Sequence, residues 1–340
     1  MTPFIVNLLC DPVSKGPLVL TVDELDSRGN IKSGILTTLD GRRYPIIEGI
    51  PRFNRTISPE SVKSFGDEWN YFNFVDFKNN WLQHTVRNTF GTTDVFKDKI
   101  IVDAGGGSGA QSRWFVEYGA KHVILLELSE SVDDVVLRNV GNFDNVDVIQ
   151  CSIDEPPIKA GSIDGMVYCH NVIQHTRSVE VTARALFSLV AEGGEFIFNC
   201  YPLNNEGFFR WARFNFVYSP LRFLLSKMPF SVILFYSRIL AVCRIIPVLG
   251  KLLELSGFCV QGDVPVVPDE KIWARILRRF HVTVLNTFDC FGSHEFQHLK
   301  KDSEIRALIF NLQPDPRKIK NMDAYFSRPT PIGCALRIFR

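Results

Sequence analysis

The run IIVDAGGGSGAQSRWFVEYGA holds the residues best suited to chemistry: Asp103, then Gly105, Gly107 and Gly109 at G-x-G-x-G spacing, then a helix-forming stretch with Trp114, Phe115 and Tyr118. Glycine permits positive φ and removes the Cβ that would keep a ligand off the backbone, so strand, glycine turn and helix in this order can cradle a flat or bulky ligand. Asp103 offers negative charge to a cationic one. Glu127, closing the next apolar run in VILLELSES, can accept hydrogen bonds from both hydroxyls of a ribose. A dinucleotide fingerprint would place its third glycine one residue later, where Ala110 stands, so the spacing departs from that pattern, whereas Glu127 serves either ligand.

A second cluster lies in GMVYCHNVIQHT, an apolar run entering a loop. It puts Tyr168, Cys169, His170, Asn171 and His175 at the carboxyl edge of a strand, where open α/β sheets bind ligands. Histidine is the natural base near neutral pH, which makes His175 the candidate catalytic residue; a solvated or helix-capping histidine is the competing reading. His170 suits a ligand-pocket wall. Asp289, His294 and His298 in DCFGSHEFQHLKKDSEI lack metal-ligand spacing, so no metal is expected.

The elements that must position these residues follow from periodicity. Strands alternate with amphipathic helices at Lys99 to Ala104, His122 to Leu128, Val146 to Cys151, Ser162 to His170 and Gly194 to Cys200, and this alternation predicts a mostly parallel sheet. Strand-like composition returns at Val282 to Phe291 and Gly333 to Phe339. Residues 1–57 read as a small β-rich appendage with runs LVLTV and GILTT. Residues 58–200 read as a helical lead-in and the ligand-binding core, 201–282 as a helical insertion, and 283–340 as the completion of the sheet.

Composition limits the alternatives. The 340 residues are 46% hydrophobic with a net charge of +1, which supplies ample core and no global field to attract nucleic acid. The eight cysteines are scattered without a CxxC pair, and MTPFIVNLLCDPVSKG does not read as a secretory signal, so a reducing cytoplasm is expected. Met228 to Leu255 is interrupted by Arg238, Arg244 and Lys251, too charged for a spanning helix. Within 201–258, Arg210, Arg213, Arg222, Lys227, Arg238, Arg244 and Lys251 stand against Glu206 and Glu254, seven minus two giving +5, among ten Phe, Tyr and Trp between Phe208 and Tyr236. That mixture fits a cap over a hydrophobic substrate or an interfacial element at the inner membrane; an internal helical subdomain or a homo-oligomer contact explains it equally.

DAGGGSG, Glu127 and the block from Ser162 to His175 resemble the successive motifs of class I S-adenosylmethionine methyltransferases. The resemblance covers Ser64 to Cys200 well and implies a Rossmann-like, seven-stranded, mostly parallel sheet with S-adenosylmethionine as cofactor. By that resemblance Asp103, Gly105 and Gly107 line its methionine side, Glu127 and Leu128 its ribose, and Ser152 and Ile153 its adenine, Ser152 standing where the family usually has an acidic residue. Cys169 and His170 would border the cofactor. SVKSFGDEWNYFNF is similar to an N-terminal helix that folds over the cofactor in bacterial members, with Phe65, Trp69 and Tyr71 as the lid. The loop with Asp289, His294 and His298 is similar to one at the substrate mouth. LLCDP and YPIIEGIPRF resemble the zinc-ribbon activator domain of such enzymes, here with Cys10 as its sole cysteine and hence without zinc.

The resemblance implies in-line methyl transfer to a small-molecule, glycan-type or lipid-linked acceptor. The alternatives are a quinone or isoprenoid acceptor, a non-catalytic cofactor-binding scaffold, and a nicotinamide-dependent oxidoreductase.

Overall fold

The computed structural model describes residues 1–53, 59–203, 207–256, 258, 271–292, 296–327 and 333–340. They fall into two units, Met1–Pro202 with Phe296–Arg340, and Leu203–Glu295.

The first unit opens with four antiparallel strands, β1 (Leu18–Leu25), β2 (Ile31–Thr38), β3 (Arg43–Ile47) and β4 (Ile50–Pro51), in that spatial order. This is the β-rich appendage. The main sheet comprises β5 (Ile100–Ala104), β6 (His122–Glu127), β7 (Val146–Gln150), β8 (Met166–Cys169), β9 (Glu195–Phe198), β10 (Ile319–Lys320) and β11 (Leu336–Phe339), ordered β10-β11-β9-β8-β5-β6-β7. β5 to β9 pair in parallel, and β11 runs antiparallel to both β9 and β10. The result is the Rossmann-like, mostly parallel seven-stranded sheet expected.

Burial on both faces explains the near-continuous apolar runs. Every residue of β6 is buried. Alternate residues feed opposite layers: Ile101, Val123 and Tyr168 join Trp81, Trp114 and Phe115 on one face, while Val102, Ile124 and Cys169 join Ala183 and Leu186 on the other. The order reverses at β5, which has β6 on one side and β8 on the other. At such a switch point the loops leaving the carboxyl ends splay apart and open a crevice.

The appendage extends the far edge of this sheet. Phe53 donates its backbone N–H to the Gln150 carbonyl at 2.8 Å, and Cys10 donates to Pro157 at 3.0 Å. Leu9 bridges Ile158. The first of these contacts satisfies the last carbonyl of β7, on a strand edge that would otherwise be open, and the others hold the loop that follows it.

Val282 to Phe291 is not a strand. It is the second half of a helix, Ile272–Phe291, that buries Val284, Thr287, Phe288 and Phe291 at three- and four-residue spacing. A short apolar run rich in β-branched residues is compatible with either state, and helical periodicity decides it here. In the sheet the place belongs to the two-residue β10. The second unit is helical, and Ile272–Phe291 packs against Phe230–Ile245, with Phe230 and Phe288 rings 4.9 Å apart. Among the described residues no helix is long and apolar enough to cross a membrane.

The reversed strand β11 is fastened by charge as well as by its ladder: Arg337 donates two hydrogen bonds to the Glu195 carboxylate, at 2.7 and 3.1 Å. Both side chains are largely out of solvent. Glu195→Ala, which strands the guanidinium, should cost about 3 kcal/mol in urea unfolding, whereas Glu195→Leu with Arg337→Met should lie close to wild type.

Candidate active site and cofactor cradle

At the carboxyl end of β5 the chain turns through Gly105 (φ +79°) and Gly107 (φ +59°), conformations that disfavour any side chain. Space is as restrictive as geometry: a Cβ on Gly105 would lie 2.4 Å from Val172, and one on Gly107 2.9 Å from the Trp69 ring. The turn is held open from β6. Gly105 and Gly106 donate to the Leu126 carbonyl at 2.8 and 3.1 Å, and the buried Glu127 carboxylate accepts from Gly107 N at 2.8 Å and from Ser129 N at 2.8 Å. Asn139 Nδ2 donates to the Ser108 carbonyl at 2.8 Å.

Asp103 is buried beneath the turn and accepts a 2.6 Å bond from the Ser112 hydroxyl. Burial pushes its pKa up to about 7, with the Glu127 charge adding to the rise and the Ser112 bond opposing it. Burial likewise raises Glu127. Two carboxylates thus sit in a dry, electron-rich floor that would gain from a cationic ligand.

The lead-in helix Pro59–Tyr71 covers this floor. Gly66 approaches the backbone of Glu130, Trp69 lies on Gly107, and the Phe65 ring meets His175 edge-on at 6.1 Å. Tyr71 is exposed at the helix end and does not share the lid role expected of it.

Val102 to Phe198 match the family model described as "Methyltransferase domain". Curated relatives are similar over short stretches. Protein arginine N-methyltransferase 1 of Saccharomyces cerevisiae is 36% identical over 83 residues, 22% of this chain and 24% of that protein. The protein of the same name in Oryza sativa subsp. indica is 31% identical over 75 residues, 22% of this chain and 19% of that one. The chain thus spans about a quarter or less of the length of these relatives. Similar solved structures include an S-adenosylmethionine dependent methyltransferase from Mesorhizobium loti, 25% identical, covering 30% of this chain and 46% of that one, TM-score 0.28. Another is a Haloferax volcanii complex of the Trm112 methyltransferase activator with a methyltransferase, 15% identical, covering 42% and 61%, TM-score 0.35.

Within the matched segment, Leu128 follows Glu127 and its carbonyl lies 3.4 Å from Gln150 Nε2. Ser152 and Ile153 follow β7: the Ser152 hydroxyl accepts from Asp154 N at 3.3 Å, and Ile153 is buried in the core. Cys169 ends β8 fully buried, its thiol pushed above its ordinary range by burial, and His170 stacks on Tyr168 with ring centres 5.7 Å apart. His175 closes the turn Ile173–His175, with Nδ1 3.2 Å from the Phe296 carbonyl and its ring 5.9 Å from that of Tyr201. Of the later loop, Asp289 falls in the helix Ile272–Phe291, His294 lies outside the described residues, and His298 donates its backbone N–H to the Gln174 carbonyl at 2.8 Å.

Three polar residues of this region escape sequence reasoning. Glu68 is buried in the lid helix, Asn199 donates to Asn171 Oδ1 at 2.6 Å across the ends of β9 and β8, and Gln174 is fully buried. Neither amide atom of Gln174 has a hydrogen-bond partner among the described residues. For Asn199 the signal was present, a polar residue inside the apolar run EFIFNC, whereas Glu68 lies among Asp67 and Asn70 and carries none.

The raised Asp103 has a consequence for folding. From pH 3.8 to about 7 the folded chain keeps a proton that the unfolded chain has released, so this residue makes stability fall as pH rises through that window and leaves it level above. Urea midpoints measured across it should show Asp103→Asn gaining on wild type as pH rises; a constant difference would mean that Asp103 is ionised throughout.

Proposed function

We propose that this chain is an S-adenosylmethionine-dependent methyltransferase acting on a small-molecule, glycan-type or lipid-linked acceptor by in-line methyl transfer. The observation that carries the reading is the Glu127 carboxylate bonded to the glycine turn at Gly107. The carboxylate accepts from Gly107 N and Ser129 N, and a carboxylate oxygen, with two acceptor positions, can take a ribose hydroxyl beside a backbone N–H. Gly105 and Gly107 remove the side chains that would stand in the cofactor's way, and the methyltransferase domain match spans the same segment. The residues fit the group.

Bound S-adenosylmethionine supplies a methyl carbon already activated by a sulfonium. The protein's own task is alignment and proton handling. Asp103 and Glu127 provide a floor whose ionised form a bound cation would favour, Trp69 and Phe65 shield it from water, Ser152 and Ile153 offer a hydroxyl and an apolar wall for an adenine, and Cys169 and His170 close the β8 side. His175 is suited to take the acceptor's proton. A carbonyl oxygen only accepts, so the contact with Phe296 puts the proton on Nδ1 and leaves the lone pair of the neutral ring at Nε2. Gln174, adjacent to it, has amide atoms whose burial without partners costs about 1–3 kcal/mol, a penalty that a polar acceptor would relieve. Peripheral membrane contact through residues 201–258 belongs to the same reading, since it would bring a lipid-linked acceptor to the enzyme.

Incubation with S-adenosylmethionine labelled in the methyl group, followed by partition of a cell extract between aqueous and organic phases, tests activity and acceptor polarity together. Label should move to an acceptor, and His175→Asn should slow transfer by about 10²- to 10⁴-fold while leaving S-adenosylhomocysteine affinity unchanged. Cofactor binding without transfer to any fraction would favour a non-catalytic scaffold.

A further inference from the structure

We infer that the helical unit Leu203–Glu295 seats on an anionic lipid bilayer through an apolar face ringed by lysine and arginine. This deepens the acceptor reading above by naming the partner of the unit. The helix Phe230–Ile245 is apolar on two sides. One side, with Ile233, Leu234 and Ala241, is buried. On the other, Val232, Phe235, Ile239 and Val242 recur at three- and four-residue spacing and are exposed, Phe235 by 66%. A helix apolar all round normally lies in a protein core or in lipid, and half of this one has no protein over it among the described residues.

The neighbouring helices repeat the pattern. Phe209, Phe216 and Phe223, seven residues apart, are exposed along Phe208–Leu225, and Phe209 is 87% exposed. Val248, Leu252 and Leu255 are exposed along Pro247–Ser256, and Ile272, Trp273 and Leu277 at the start of Ile272–Phe291. Among the described residues, most of the exposed large apolar side chains therefore belong to this unit, far beyond the scatter normal for a soluble surface.

Charge selects the occupant. Between Gly207 and Leu253 the chain has seven basic residues and no acidic one. Lys227, Arg238 and Lys251 are exposed beside the apolar residues, and the Lys227 ammonium lies 3.6 Å from the Phe223 ring centre in a cation–π contact. A second copy applied across a two-fold axis would bring cations against cations. An anionic headgroup layer over acyl chains complements both the charge and the apolar face, with each basic residue adding to attraction that salt weakens.

Co-sedimentation of the full chain with vesicles of phosphatidylglycerol and phosphatidylcholine tests this. The expected result is capture that falls at least about tenfold on pure phosphatidylcholine vesicles and declines as salt rises. Phe235→Asp with Ile239→Asp should abolish capture, and Lys227→Gln with Lys251→Gln should weaken it on the anionic vesicles; unchanged far-ultraviolet circular dichroism certifies that the variants fold. Wild type remaining in the supernatant, equal capture by neutral vesicles, or a dimer that the aspartate pair converts to monomer would overturn the proposal. Neither cofactor nor turnover enters the measurement, so its failure leaves the methyl-transfer reading standing, and the reverse holds.

Discussion

A buried carboxylate between two backbone amides organises the carboxyl edge of the main sheet around the glycine turn. Glu127 stands at the end of β6, yet through Gly107 N and Ser129 N it fixes both the glycine turn that leaves β5 and the loop that leaves β6. Such bonds to a charged acceptor are shorter and stronger than neutral ones, and in a dry site they fix position as well as energy. The lid then has a defined surface to close on: Trp69 lies against Gly107, and the Ser131 hydroxyl donates to the Gly107 carbonyl at 2.9 Å. The same constraint explains the glycines, since the backbone must run where any side chain would meet Val172 or Trp69.

The edge beyond β6 receives its own support. β7 is the last strand on that side, and the appendage covers it, holding the Gln150 carbonyl through Phe53 and the following loop through Leu9, Cys10 and the Lys15 ammonium, 2.9 Å from the Pro156 carbonyl. That loop begins at Ser152 and Ile153.

Much of this was legible in the sequence where one physical cause dominated. Strands buried on both faces leave continuous apolar runs, and β5 to β9 and β11 appear where those runs lie. The glycine turn and Glu127 were legible because backbone geometry and ligand chemistry both demand particular residue types. Legibility failed where two states fit one pattern: VTVLNTFDCF has the composition of a strand, and only its packing along Phe230–Ile245 makes it helix. β10, two residues long, carries no periodicity at all. Gln174 and Glu68 escaped because a polar residue looks like a solvated position until its burial is known.

The most direct measurement of the central claim is calorimetric titration of the wild-type chain and Glu127→Ala with S-adenosylhomocysteine and with NADH. Wild type should bind S-adenosylhomocysteine at one site and ignore NADH, and the substitution should weaken binding by about 1.5–3 kcal/mol, the worth of hydrogen bonds to a charged group. Tight NADH binding with S-adenosylhomocysteine ignored, or an affinity untouched by loss of Glu127, would contradict the account.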